Sequence, residues 1–432
     1  MQFGNRNGKT MEKKTLAIII ILLSIIPAGS ALSSSICNIF NAQLIGNPVE
    51  TSVAADGNTV AIGGTGGVIG AFTHNGSPRW VYRTQDNITG IAISDDGRFI
   101  AAASYYGDLF YFDADGDLLW NDSGFGCNSR VALSDDGQRG YVFSDGQSGD
   151  LTRDTVFYFN SNGTILSHVS VSLISSEAMS SADSMAVVGT RGSYGNNYVV
   201  GIDKAEIQWE NKIPQGWSIS DVAISEDSNT IAAIEPDSVT VFSRSGKNLW
   251  NISPEYLARS VAVSADGRYI TVGTQYRAIY FNRSGTRLWE YSLPDYINHI
   301  RISGDGQKIA ATSGNTMYYL DGNGTRLWQH QLDNLPESLS MSGDGSVITT
   351  GSYNNTFTIF NETGAATGID LDTISAKPIV TVRPVSAVNS SGSQPVPSPR
   401  PPGSSPTPLD GGIMIIAIGI TSLIGISGWN RK

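Results

Sequence analysis

A turn of the form Ser-x-Asp-Gly, or a remnant of it, recurs along the chain and closes at Gly57, Gly97, Gly137, Ser184, Ser228, Gly267, Gly306 and Gly345. The steps are 40, 40, 47, 44, 39, 39 and 39 residues. A unit of that length cannot bury its own apolar face, so successive copies have to stack. One copy, residues 260–293, reads SVAVSADGRYITVGTQYRAIYFNRSGTRLWEYSL. It breaks into four short apolar or alternating runs, Val261 to Ser264, Tyr269 to Gly273, Ala278 to Phe281 and Arg287 to Tyr291, parted by Asp-Gly and Ser-Gly turns of the hairpin kind. Four strands in such a period make one propeller blade. The repeat therefore predicts an all-β, eight-bladed β-propeller with four-stranded antiparallel blades over residues 40–372.

The predicted fourth strand carries a second signature. NGSPRW, DGDLLW, SGKNLW, SGTRLW and NGTRLW place Trp80, Trp120, Trp250, Trp289 and Trp328 in one register, and AEIQW adds Trp209. An indole repeated once per blade is expected to pack between neighbouring blades. Blade three has Ser167 at that place, and blade eight, ETGAATG, has no aromatic residue there. Blade eight thus lacks a convincing fourth strand, and Asn41 to Gly46 is expected to close the ring in its stead.

With its Gly-x-x-x-Trp turns the chain resembles the eight-bladed quinoprotein-type propellers and, more loosely, the WD40-like repeat proteins. The resemblance implies the fold. It implies function only weakly, because that superfamily includes dehydrogenases, assembly factors and scaffolds. A quinoprotein dehydrogenase would imply a bound quinone, calcium and a disulfide between adjacent cysteines. Only Cys37 and Cys127 are present, 90 residues apart, so that last feature is missing. Outside the cell these two could form one structural disulfide, which sequence alone leaves open.

The two ends set the expected address. Basic residues Arg6, Lys9, Lys13 and Lys14 precede the apolar run Leu16 to Ile26 and then small residues up to Ala31, the order of a signal peptide over 1–31. Residues 373–410 hold nine of the 17 prolines and read as a stalk. Gly411 to Trp429 is an apolar stretch of 19 residues, long enough to cross the bilayer once, and Arg431 and Lys432 place the tail in the cytoplasm. The expected product is a single-pass protein of the cell membrane with its propeller outside the cytoplasm. The same tripartite end also resembles sorting signals cut by surface-anchoring transpeptidases.

A formal net charge of −11 disfavours nucleic acid as a partner. His74, His168, His299 and His330 have no metal-ligand spacing, and neither a nucleophile elbow nor a phosphate-binding loop occurs. Asp113, Asp115 and Asp117 in DADGD sit where other blades have their turn between third and fourth strands, so a turn is expected rather than a calcium loop. No catalytic residue, cofactor or metal is predicted. Ten Asn-x-Ser/Thr sequons, at Asn75, Asn87, Asn121, Asn162, Asn251, Asn282, Asn323, Asn354, Asn361 and Asn389, are candidate N-glycosylation sites, although Asn-Gly-Thr is also good hairpin chemistry.

The period stretches at Gln147 to Arg153 and Arg191 to Asn197, both between second and third strands. Such loops share a face with the links between blades. Those links carry Trp217, Tyr256 and Tyr296, and Arg130, Asp221, Arg259 and His299 are expected in one register near the channel mouth. These seven residues are the candidate ligand face. The expected function is a non-catalytic, membrane-anchored extracellular binding or scaffold module for a protein or glycan. Two alternatives stay open, a quinone- or calcium-dependent oxidoreductase and a structural subunit of the cell envelope.

Overall fold

The computed structural model describes residues 49–146, 153–182, 184–191, 196–213 and 218–378. Calls on the signal peptide, the strand Asn41 to Gly46, the stalk beyond residue 378, the membrane span, Cys37, Asn389 and Trp217 lie outside these residues, as does most of each long loop. Among the described residues no helix is long and apolar enough to cross a membrane.

Among the described residues eight blades of four consecutive antiparallel strands form eight sheets, and a short thirty-third strand joins the sheet of blade one. In the copy used above to read the pattern, the strands are Ala258–Val263, Tyr269–Thr274, Arg277–Asn282 and Arg287–Ser292. The first strand of each blade packs beside those of its neighbours, and together they ring the axis. Apolar clusters such as that of Ala278, Tyr280, Ile297, Ile300, Ile309 and Leu320 fill the space between blades.

The repeated turn owes its sequence to a small hydrogen-bond circuit. In blade seven Ser303 Oγ donates to Asp305 Oδ1 (2.6 Å) and accepts the Lys308 amide (2.9 Å), while Asp305 Oδ1 also accepts the Gln307 amide (2.9 Å). The same circuit joins Ser94 to Asp96, Ser264 to Asp266 and Ser342 to Asp344. The following glycine is left-handed, with φ of 75° at Gly306. Ser184 and Ser228 hold that conformation without glycine, at φ of 61° and 55°.

Adjacent turns are tied to one another around the channel. Ala55 N–H donates to Asp95 O, Asp96 to Asp135, Asp135 to Ser181, Glu226 to Ala265, Ala265 to Gly304, Gly304 to Gly343 and Gly343 back to Ala55, at 2.7–3.3 Å. At the one junction left, Ser180 Oγ donates to Glu226 O (2.5 Å). Every pair of neighbouring blades therefore shares at least one hydrogen bond at this end.

The six tryptophans lie between blades, as expected. Each indole N–H donates to a carbonyl in the outer turn of the next blade: Trp80 to Ala114, Trp120 to Ser161, Trp209 to Arg244, Trp250 to Arg283, Trp289 to Gly322 and Trp328 to Glu362, at 2.8–3.1 Å. A glycine of that turn accommodates the ring: a Cβ on Gly116, where φ is 88°, would sit 2.5 Å from Cγ of Trp80.

Blade eight departs from expectation. It has its own fourth strand, Ala366–Asp370, paired with Thr356–Asn361, so a borrowed N-terminal strand is not needed to complete it. Among the described residues two features close the ring. The first strand of blade one, Glu50–Val53, lies against blade eight, where Ser338 Oγ donates to Val49 O (2.7 Å) and Ser340 Oγ to Thr51 O (2.6 Å). The chain beyond blade eight then makes a 3-10 turn at Leu371–Thr373, buries Leu371 in the apolar cluster between blades one and eight, and pairs Lys377–Pro378 in parallel with the outer strand of blade one at Tyr82 and Arg83.

Candidate binding face

Because strands alternate in direction, the links between blades and the turns between second and third strands share one end of the propeller. At blade six this end carries a run of tyrosines. Tyr256, in the link into blade six, meets Tyr276, in its inner turn, edge to face at 5.8 Å, and Tyr276 lies 5.8 Å from Tyr296, in the next link. Arginines cover the outer members: the Arg277 guanidinium is 5.1 Å from the Tyr256 ring centroid and that of Arg259 is 5.3 Å from that of Tyr296. Gln275 Nε2 donates to the hydroxyls of Tyr296 (2.7 Å) and Tyr276 (3.3 Å), and Arg277 is paired with Glu290. Tyr276 and Tyr296 remain exposed, as do Leu257, Leu335 and Tyr353 on the same face.

The first strands bring a second set of side chains together. Counting back seven residues from each turn position gives Glu50, Gly90, Arg130, Glu177, Asp221, Ser260, His299 and Ser338. Arg130, Asp221 and His299 thus do share a register. Arg259 stands one residue earlier, where the pairing of its strand shifts register, and its guanidinium covers Tyr296. The belt also holds two acids the sequence reading missed, Glu50 and Glu177. Arg130 Nε pairs with Glu177 Oε1 at 2.7 Å, and Asp221 Oδ2 accepts from Ser260 Oγ and the Val261 amide, both at 3.0 Å.

Burial shapes the charges of this belt. It pushes the Glu50 carboxyl up to about 7, against the attraction of Arg130 and with repulsion from Glu177. Glu177 and Asp221 are also raised, chiefly by burial, although Arg130 and Arg301 respectively pull them back. His299 is pushed down to about 4 by burial and by Arg301 and Arg259, so its imidazole is neutral at pH 7.

At the other end of the channel, burial first and then the charge of Asp135 and Glu226 push Asp95 up to about 7. Among the described residues no group of three or more His, Cys, Asp and Glu side chains is placed to hold a metal ion. DADGD is a turn, with Asp113 Oδ1 accepting the amides of Asp115 (3.0 Å) and Asp117 (2.8 Å). The sequon asparagines Asn282 and Asn361 do the same work with Oδ1, accepting the amides of Ser284 and Thr286, and of Thr363 and Ala365. Asn251 spends its Nδ2 on Thr240 Oγ1. Cys127 opens the first strand of blade three and is disulfide-bonded; the call on Cys37 as its partner falls outside the described residues.

Tyr276, Gln275, Arg277, Glu50, Glu177, Glu337 and Tyr353 belong to this face but were not singled out from sequence. For Glu50 and Glu177 the signal was available, since each stands the same seven residues before its turn as Arg130 does.

Fold and face together define a repeat-built β-propeller with an aromatic rim and a charged channel mouth. Known proteins place the chain beside two repeat types. A family model described as outer membrane protein assembly factor BamB matches residues 228–376, and one described as WD domain, G-beta repeat, matches residues 76–113. Solved structures similar to the chain include Sqt1 of Saccharomyces cerevisiae, at 12% identity and a TM-score of 0.54, covering 65% of this chain and 84% of that one. The C-terminal WD40 domain of Sif2 is similar at 16% identity and a TM-score of 0.58, covering 71% of this chain and 95% of that one. At these identities the likeness is one of fold. No curated protein sequence matches the chain.

Proposed function

We propose that this propeller is a non-catalytic binding module that holds a protein partner on the face of the interblade links. The observation that carries the reading is the Tyr256, Tyr276 and Tyr296 cluster, exposed at its centre and held in place by Arg259, Arg277 and Gln275. Rigid aromatics beside arginines and exposed leucine have the composition of interface hot spots. Similarity to a model described as an assembly factor and to WD repeats supports binding over catalysis. The basic and apolar N-terminal segment, the apolar segment near residue 420 and the disulfide at Cys127 support a position outside the cytoplasm, tethered to the membrane. A photo-crosslinking residue placed at Tyr276, and separately at Asp115 on the opposite face, tests this in intact cells. One protein captured at position 276 and not at 115 is expected; capture of it only at 115 would overturn the choice of face.

A further inference from the structure

Two of the tyrosines on this face are already covered by guanidinium groups of the chain itself, Tyr256 by Arg277 and Tyr296 by Arg259. Tyr353, in the inner turn of blade eight, is 50% exposed, and no cation–π contact to it is found among the described residues. Pro336 pairs with Ser352 across the first two strands of blade eight, which brings Glu337 beside Tyr353, and burial and then the charge of Glu337 raise the Tyr353 hydroxyl. Glu337 stands eight residues before its turn glycine, Gly345, the same register that Arg259 holds before Gly267. Blade eight thus presents an acid where blade six supplies its own cation.

The surroundings are acidic as well. Glu50 of blade one is close enough to Glu337 and Tyr353 to repel negative charge at both. Arg301 and Arg130 offset it in part from the channel side. Beside this point, Leu335 is 54% exposed. A groove of about 290 Å³ runs between the blade-seven link and the outer half of blade eight, lined by Leu332, Asp333, Pro336, Thr358, Gly368 and Asp370. Gly368, paired with Thr358, contributes no side chain to the wall of this groove.

Resting on the binding reading above, we infer that Tyr353 and Glu337 receive a cationic side chain, an arginine or lysine, from an extended segment of the partner protein. The cation would lie on the Tyr353 ring against the Glu337 carboxylate, with the segment running past Leu335 along the acidic groove. Charge complementarity selects this occupant: an acidic segment would meet Glu50, Glu337, Asp333 and Asp370, and an uncharged one would leave Glu337 without its counter-ion.

The test uses the full-length chain and fluorescein-labelled hexa-arginine, hexa-lysine and hexa-glutamate peptides, with anisotropy read at fixed ionic strength. Both cationic peptides are expected to bind and hexa-glutamate is not. Glu337→Gln and Tyr353→Ala should each weaken the cationic peptides about tenfold, the scale of an interface hot spot. Tyr353→Phe, which keeps the platform, should lose much less, and Asp115→Asn on the opposite face should lose nothing. Equal affinity in the wild type and both Glu337→Gln and Tyr353→Ala would overturn the assignment, because general acidity would then explain the binding. The two proposals fail separately. If the partner cross-links at position 276 but binds Glu337→Gln normally, only this inference falls; if it cross-links solely on the opposite face, the binding reading falls with it.

Discussion

Arg130 Nε and Glu177 Oε1 lie 2.7 Å apart, joining the first strands of blades three and four at the channel mouth. Both side chains are largely but not wholly removed from solvent, 29% and 18% accessible, and Glu177 Oε2 has no hydrogen-bond partner among the described residues. Removing one member strands the other in a poorly solvated place. Arg130→Ala should therefore cost about 1–2 kcal/mol at pH 7, less than a fully buried pair because channel water screens it. The double variant Arg130→Ala/Glu177→Ala should be more stable than Arg130→Ala alone, measured by urea unfolding. A double variant less stable by the sum of both single losses would mean that the pair does not interact.

Glu50 supplies a pH prediction. Its carboxyl is raised to about 7 in the fold, mainly by burial, so the folded state binds more protons than the unfolded one between the ordinary glutamate value near 4.5 and about 7. Stability contributed at this site is present below that window and lost as pH rises through it. Glu50→Gln should accordingly raise Tm relative to the wild type at pH 8 and leave it nearly unchanged at pH 4.5. His299 has the opposite sign: held down to about 4, it makes the fold lose stability as pH falls from about 6.5 toward 4. A Glu50→Gln difference that is constant from pH 4.5 to 8 would rule out the titration.

Trp120 is 4% exposed, stacks on Tyr111 at 5.0 Å and donates to Ser161 O at 2.8 Å. Trp120→Ala should cost about 3–5 kcal/mol, and Trp120→Phe, which keeps part of the ring and loses the N–H, about 1–2 kcal/mol. A loss below about 1 kcal/mol for the alanine variant would contradict the role of this ring between blades two and three.

Such indoles explain why most of the fold could be read from the sequence. Each blade is a nearly independent statement of the same physics, a Ser-Asp-Gly circuit and a glycine turn under a tryptophan, so one well-spelled copy interprets the rest. Blade eight was misread for the same reason: its fourth strand pairs Phe360 with Ala366 and Ile359 with Thr367, and it lacks the marker by which the other strands were found. The segment from Leu371 to Pro378 carries no periodicity at all, because its role is to cross from one blade to another. At the face, link tyrosines were legible from position, whereas Tyr276 and Tyr353 lie in turns of variable sequence. Arg259 stands one residue out of the register of Arg130, Asp221 and His299, at a break in strand pairing that nothing in the repeat marks.

The crossing segment makes its own prediction. Leu371 is fully buried in the cluster shared by blades one and eight, and Asn355 Nδ2 of blade eight donates to Asp372 Oδ1 at 2.7 Å. Leu371→Ala should cost about 2–4 kcal/mol. Deletion of residues 371–378 should lower Tm at least as far and expose the outer edge of blade one, an aggregation liability seen as turbidity on heating. A truncated chain with unchanged Tm would show that contacts of Glu50–Val53 with blade eight are enough to close the ring.

The last prediction concerns the tyrosine cluster itself. Tyr256 is covered by Arg277 and Tyr276, so its loss disturbs a local stack as well as any partner, and a change in binding there would be ambiguous. Tyr276 is the better reporter. It stands at the centre of the cluster, is exposed, and touches Tyr256 and Tyr296 without closing the core of a blade. Tyr276→Ala should then leave Tm within a degree or two of the wild type, as surface substitutions do, while weakening the captured partner by about 1–2 kcal/mol, five- to thirtyfold in Kd. Arg259→Ala removes the cation over Tyr296 and should weaken binding less, because it uncovers ring surface while removing charge. Isothermal titration of full-length variants against the cross-linked partner separates these outcomes. Full affinity in Tyr276→Ala, with a loss confined to residues of the opposite face such as Asp95 or Glu226, would move the working surface to the other end of the channel.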